Sequence, residues 1–151
     1  MKKVFVTGAF HVLHAGHVKF FQDARALGDY LIVSYPPSDL LWRLYGRKSL
    51  LDDADKLAVI SSLEQVDEVV LSTDENAALS FETAFLQVKP DILAVTTDER
   101  CKEEKRRFCA ENGVEFVVLE KAAPEGKTAS SVDMLNRIKA PTHAPLRVDF
   151  A

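Results

Sequence analysis

The sequence predicts a doubly wound α/β domain, a sheet of five parallel strands with helices on both faces. Short β-rich runs alternate with longer amphipathic segments along nearly the whole chain. Strands separated by helices of about 10–15 residues imply right-handed βαβ crossovers and hence parallel pairing. The strands are apolar throughout instead of alternating, as expected of a sheet covered on both faces. At 151 residues, 47% hydrophobic and 28% charged, the chain has the size and mix of one domain with a real core.

The first strand is expected at Lys3–Thr7, closed by Gly8. A helix from Gly16 to Leu27 carries Val18, Phe20, Phe21, Ala24 and Leu27 at helical spacing, and Gly28 reads as its left-handed C′ residue. Asp29–Ser34 is the second strand, stopped by Pro36-Pro37. Ser38 to Leu51 reads as a short helix and a loop, followed by a helix from Asp53 to Leu63 with Leu57, Ile60 and Leu63 on one face. A third strand, Asp67–Leu71, precedes a helix from Ser80 to Val88, and Pro90 introduces a fourth strand, Asp91–Val95. A charged surface helix, Arg100–Asn112, is ended by Gly113, and Val114–Leu119 forms the fifth strand. Ser130 N-caps a last helix running to Lys139. The domain thus spans residues 1–139, with a Pro-containing arm at 140–151.

A net charge of −4, from 19 basic and 23 acidic residues, gives no generic attraction to nucleic acid or anionic lipid. Neither is expected as a partner. Lys2 and Lys3 precede only Val4-Phe5-Val6 before Thr7-Gly8, far short of the ~7–15 apolar residues of a signal peptide. Cys101 and Cys109 read as ordinary thiols of a reducing compartment. A cytoplasmic location is expected.

In an open α/β sheet, ligands bind beyond the carboxyl ends of the strands. The turn after the first strand, residues 7–17, contains neither GxGxxG nor GxxxxGK[ST], which argues against dinucleotide and P-loop sites. It holds three of the four histidines, His11, His14 and His17, just before a helix N-terminus. Free N–H groups there bind phosphate, imidazoles donate to phosphate oxygens, and Gly16 leaves room for close approach. Two other readings stay open: an incidental polar loop, and metal ligation by His11, His14 and His17 at i, i+3, i+6. Lys127, in the loop after the fifth strand, is a further candidate phosphate ligand.

The segment Gly8-Ala9-Phe10-His11-Val12-Leu13-His14-Ala15-Gly16-His17 resembles the G-x-F-D-x-x-H-x-G-H signature of the cytidylyltransferase-like nucleotidyltransferases. The resemblance continues through residues 24–33, Val66–Val70, Lys89–Leu93 and Ser130–Leu135, so it covers about residues 3–139 in order. It implies a Rossmann-like fold and attack of a small substrate's phosphate on the α-phosphorus of CTP or ATP, releasing pyrophosphate. CTP is the expected nucleotide, as in single-domain relatives of this size. The resemblance assigns His14 and His17 to transition-state stabilisation, and Thr7, Gly8, Ala9, Phe10, Gly16, Asp98, Ser130 and Ser131 to the nucleotide. It also implies Mg²⁺ carried by the triphosphate, no dedicated protein metal site, and a homodimer. The apolar stretch Leu40–Leu51 adds support for assembly.

The chain departs from the pattern at His11, where the family has Asp, at Tyr45 near a phosphate-binding Lys, and at Lys56, where relatives have Arg. Thr96-Thr97 replaces two glycines before Asp98. His11, Arg43 and Lys48 are the expected substrate-binding residues, with Arg47 a further source of charge. A nucleotide-binding module with weak or no catalysis is the alternative these departures raise.

Overall fold

The protein is described from a computed structural model, over residues 1–121. The expected helix Ser130–Lys139, the 140–151 arm and the candidates Lys127, Ser130 and Ser131 lie outside the described residues. The elements run β1 (Lys3–Thr7), α1 (Ala15–Arg25), β2 (Tyr30–Tyr35), α2 (Ser38–Tyr45), α3 (Asp53–Ser61), β3 (Glu68–Leu71), α4 (Glu82–Val88), β4 (Ile92–Thr96), α5 (Lys102–Glu111) and β5 (Glu115–Leu119). The five strands form one sheet in the order β3-β2-β1-β4-β5, every neighbouring pair parallel.

The chain winds outward from β1 to β3, then returns to the other side of β1 to lay down β4 and β5. The order therefore switches between β1 and β4, and a crevice is expected at their carboxyl ends. Strand residues alternate between two cores. Val4, Val6, Leu31, Val33, Ile92 and Ala94 pack with Phe21 and Ala24 of α1 and Ile60 of α3. Phe5, Ile32, Leu93 and Val95 pack with Phe81, with Phe85 of α4, and with Phe108 and Cys109 of α5. Side chains leaving a strand alternately up and down feed both layers, which is why the strands had to be apolar throughout.

Two local readings change. Gly28 is not a left-handed C′ residue, because α1 closes at Ala26 in right-handed geometry. A Cβ on Gly28 would stand 2.7 Å from the Lys2 carbonyl oxygen and 2.9 Å from Val4 Cγ2. The glycine is there because two chain segments pass at backbone contact. The mixed stretch 38–51 resolves into α2, closed by Gly46 at φ 63°, and a loop returning towards β1. Gly113, at φ 66°, follows α5 as expected.

Candidate functional site

The site begins where β1 ends. His14 is the N-cap of α1, and the Gly16 N–H donates to its Nδ1 at 3.0 Å. Three residues on, His17 Nδ1 accepts from the His14 N–H at 3.2 Å, completing a capping box made of two histidines. An Nδ1 that accepts a backbone N–H carries no proton, so each neutral ring holds its hydrogen on Nε2. The rings lie against each other with centroids 4.1 Å apart. The HxGH spacing thus serves the helix and the site together: it caps α1 and fixes two imidazoles as Nε2–H donors.

Phe10 supports this pair from below. It takes a left-handed backbone, φ 48°, and its buried ring meets His17 edge-on at 5.3 Å and Phe21 at 5.5 Å. Gly8 lies under that ring, where an added Cβ would come within 2.8 Å of Phe10 Cε1. Phe10, expected at the nucleotide, thus packs beneath His17.

Burial, and then the charges of His14, Lys121 and His11, push His17 down to about 3. Burial and Lys121 also lower His14. Both rings are therefore neutral donors at neutral pH. At the end of β4, burial of the Asp98 carboxyl acts to raise its pKa, but hydrogen bonds from Lys121, at 2.8 Å, and Thr96 outweigh it, and the net shift is downward. Since His17 binds its proton only near pH 3, the unfolded chain takes up a proton on this residue between about pH 6.5 and 3 and the folded chain does not. Stability falls with decreasing pH over that window, by at most about 1.4 kcal/mol per pH unit from this group. Calorimetry between pH 7.5 and 4.5 should show a shallower loss for His17→Gln, which keeps an acceptor but does not titrate. Equal slopes would remove His17 as the cause.

On the α4 and α5 side of loop 7–11 lies a cavity of about 320 Å³, with His11, Tyr45, Arg47, Phe81, Arg100 and Lys105 in its wall. Lys105 is buried and pairs with Glu99 at 3.0 Å, and Tyr45 donates its hydroxyl hydrogen to the Ala77 carbonyl at 2.6 Å. Loop 46–51 folds back over loop 8–11, since the His11 carbonyl accepts from Leu50 and Leu51 N–H at 3.2 and 3.3 Å.

Lys56, on α3, is fully buried. Its Nζ donates to the Ala9 carbonyl at 2.9 Å and to Ser49 Oγ at 2.6 Å, and lies 5.6 Å from the Tyr35 ring centroid. Burial lowers its pKa. Ser49 Oγ is also 3.1 Å from His11 Nδ1.

Of the expected site residues, Thr7, Gly8, Ala9 and His11 line the cavity, and His14, Gly16 and His17 form the helix terminus behind it. Arg43 does not enter the cavity wall. Its guanidinium is held by Glu75 at 2.7 Å on the surface. Lys48 lies over the Trp42 ring at 5.5 Å, in a separate depression. Sequence reasoning missed Ser49, Arg100 and the contact role of Lys121, each brought in by a different loop. Among the described residues no three His, Cys, Asp or Glu side chains are grouped to hold a metal, and no helix is long and apolar enough to cross a membrane.

A model of the cytidylyltransferase-like family matches residues 5–134. The chain is similar to a FAD synthase of Ferroglobus placidus, 31% identical over 140 residues, covering 91% of this chain and 88% of the relative. It is 40% identical over 103 residues to the bifunctional protein HldE of Campylobacter concisus, covering 68% of this chain and 21% of that longer protein. The structure resembles a lipopolysaccharide core biosynthesis protein from Thermoplasma volcanium with a TM-score of 0.66 at 26% identity, covering 83% of this chain and 99% of the other. With the HxGH loop, the parallel sheet and a family match over most of its length, the chain belongs to the cytidylyltransferase-like family and is a nucleotidyltransferase.

Proposed function

We propose that the protein transfers AMP from ATP to the phosphate of a small metabolite. An oxygen of that phosphate forms a bond to the α-phosphorus. The bond from α-phosphorus to the bridging oxygen breaks, and its electron pair leaves with pyrophosphate. The observation that carries the reading is the pair of neutral Nε2–H donors on His14 and His17 at the N-terminus of α1, suited to charge that builds on the α-phosphate oxygens. Similarity to a FAD synthase, whose product contains AMP, favours ATP over the CTP expected from the sequence.

Mg²⁺ is assigned to the triphosphate. Asp98 offers a hard oxygen donor, but its carboxylate is already engaged by Thr96 and Lys121, so phosphate oxygens and water supply the coordination. Thr7, Gly8, Ala9, Gly16, Lys127, Ser130 and Ser131 are proposed to complete the nucleotide site.

The test is pyrophosphate release with ATP or CTP, Mg²⁺ and a panel of phosphorylated acceptors that includes FMN. Turnover with ATP and one acceptor is expected. Nucleotide binding without turnover on any acceptor favours the non-catalytic module instead.

A cytoplasmic homodimer belongs to the same proposal. Leu40 and Leu41 are buried within the chain, but Trp42, Leu50 and Leu57 are 54, 61 and 49% exposed, apolar area that a second copy would cover. Light scattering that returns the mass of a single chain removes the dimer.

A further inference from the structure

We propose that the buried Glu99–Lys105 pair is a positioning pair for the reaction, fixing the loop between β4 and α5 so that Asp98 holds Lys121 towards the α1 terminus. This rests on the nucleotidyl-transfer reading of that terminus and adds two residues that act through others.

The first observation is where the pair lies. The Lys105 side chain is 8% exposed, whereas the cations of the other ion pairs among the described residues are at least 36% exposed. Its Nζ meets Glu99 Oε2 at 3.0 Å and stands 5.5 Å from the ring centroid of Phe81, a residue of the second core. Taking two charges out of water costs much of what their attraction returns, and apolar residues of like volume are often as stable in such a place. Stability alone does not account for the pair.

The second observation is what the pair holds. Glu99 Oε1, the oxygen not facing Lys105, accepts the Cys101 N–H at 3.2 Å. Lys105 therefore aims a carboxylate that fixes the backbone entering α5. Around it, the Glu99 N–H donates to the Thr96 carbonyl at 3.2 Å and the Thr97 N–H to the Leu119 carbonyl at 3.1 Å. Lys102 Nζ donates to the Thr97 carbonyl at 2.8 Å. Thr96-Thr97 stands where the family pattern has two glycines, and here side chains give the loop its shape.

The third observation is what the loop presents. Asp98, next to Glu99, accepts from Thr96 Oγ1 and binds Lys121 Nζ at 2.8 Å. Val117 and Leu119 of β5 pack against the core that holds Phe21 and Ala24 of α1, which brings Lys121, two residues beyond the strand, to the α1 side. Burial and then the charge of Lys121 lower the pKa of His14; at His17 burial, His14 and then Lys121 do so. Lys121 thus keeps positive charge near the two donors and helps to keep both rings neutral. A loop that drifts takes Asp98 and Lys121 with it, and small displacements at a reacting centre are costly.

The test removes both partners at once. Lys105→Met leaves the Glu99 carboxylate without its cation and should melt lower. Glu99→Met/Lys105→Met removes both charges at similar volume, and its melting temperature should recover. Its pyrophosphate release should nonetheless stay at least tenfold down. In ¹⁵N titration its His14 should take up a proton at higher pH than in the unchanged protein, shifted in the same direction as in Lys121→Gln. Glu104→Gln, on the exposed side of α5, should match the unchanged protein in all three measurements.

A double variant that recovers rate and His14 titration together with stability overturns the proposal, because the pair then only supports the fold. So does a Lys121→Gln variant in which His14 titrates unchanged. If the double variant does not fold, Glu99→Asp decides. It keeps the charge but is too short to span Lys105 Nζ and the Cys101 N–H together, and an unmoved His14 there overturns the proposal as well. Absence of pyrophosphate release from the unchanged protein counts against the transfer reading, while the His14 titration still reads the pair.

Discussion

Replacing His17 with Ala is expected to lower kcat about 10²–10³-fold, with a much smaller change in nucleotide affinity. The size follows from removing a preorganised donor that acts where charge builds in the transition state, typically worth roughly 3–4 kcal/mol. Affinity is less affected, because the backbone N–H groups of α1 remain to hold the phosphates. His17 also caps the helix, accepting the His14 N–H at 3.2 Å, so the Ala variant loses stability as well, by about 1 kcal/mol. The two losses separate in His17→Gln. Glutamine at this position of a capping box can reach the same N–H, so the melting temperature should recover while transfer stays at least tenfold down. If His17→Ala and His14→Ala both turn over normally, the helix terminus is a cap and nothing more. If Gln restores rate and stability together, the imidazole acts only by shaping the helix.

Much of this arrangement was legible in the sequence, for identifiable reasons. Strand and helix periodicities are local. Val4, Phe5 and Val6 announce a strand buried on both faces, and the cores confirm that Phe5 packs opposite to its neighbours. The HxGH loop was legible because its spacing is local too, although the reason proved double: His14 and His17 bond to backbone at i+2 and i−3 before they do any chemistry. What stayed hidden depends on segments distant in sequence. Gly28 looks like a helix stop, but its need comes from Lys2, at the start of the chain. Lys56 stands out in the sequence only as a Lys where relatives have Arg, with nothing local to show its burial. Only the return of loop 46–51 over loop 8–11 buries it and hands it Ala9 and Ser49. The partner of Arg43 was equally hidden: Glu75, 32 residues away in sequence, holds its guanidinium on the surface. Charged residues in loops have no periodicity to betray their direction, and their partners are decided by tertiary contact.

Gly8→Ala is the second large effect expected, and it joins fold to site. The new Cβ would stand 2.8 Å from Phe10 Cε1 and 2.9 Å from Cζ, closer than carbon atoms tolerate. Phe10 has nowhere to retreat. It is buried, it packs edge-on against Phe21 at 5.5 Å, and its backbone already sits at φ 48°, strain that non-glycine residues bear only when their surroundings impose it. Loop 8–11 has little freedom either, since the Gly8 N–H donates to the Ser34 carbonyl at 3.2 Å and the Ala9 carbonyl is held by Lys56 at 2.9 Å. Overpacking of this kind costs about 1–3 kcal/mol. The same displacement reaches His17, whose ring meets Phe10 at 5.3 Å, and a catalytic group moved by about 1 Å can lose roughly 10²-fold in rate. The variant should therefore melt lower and turn over at least tenfold more slowly. Adding Phe10→Leu frees space above the methyl group and should recover melting temperature. It should recover less of the rate, because the edge that steadies His17 is gone. Gly8→Ala with unchanged kcat would show that Phe10 positions nothing, and that the glycine is kept only for packing.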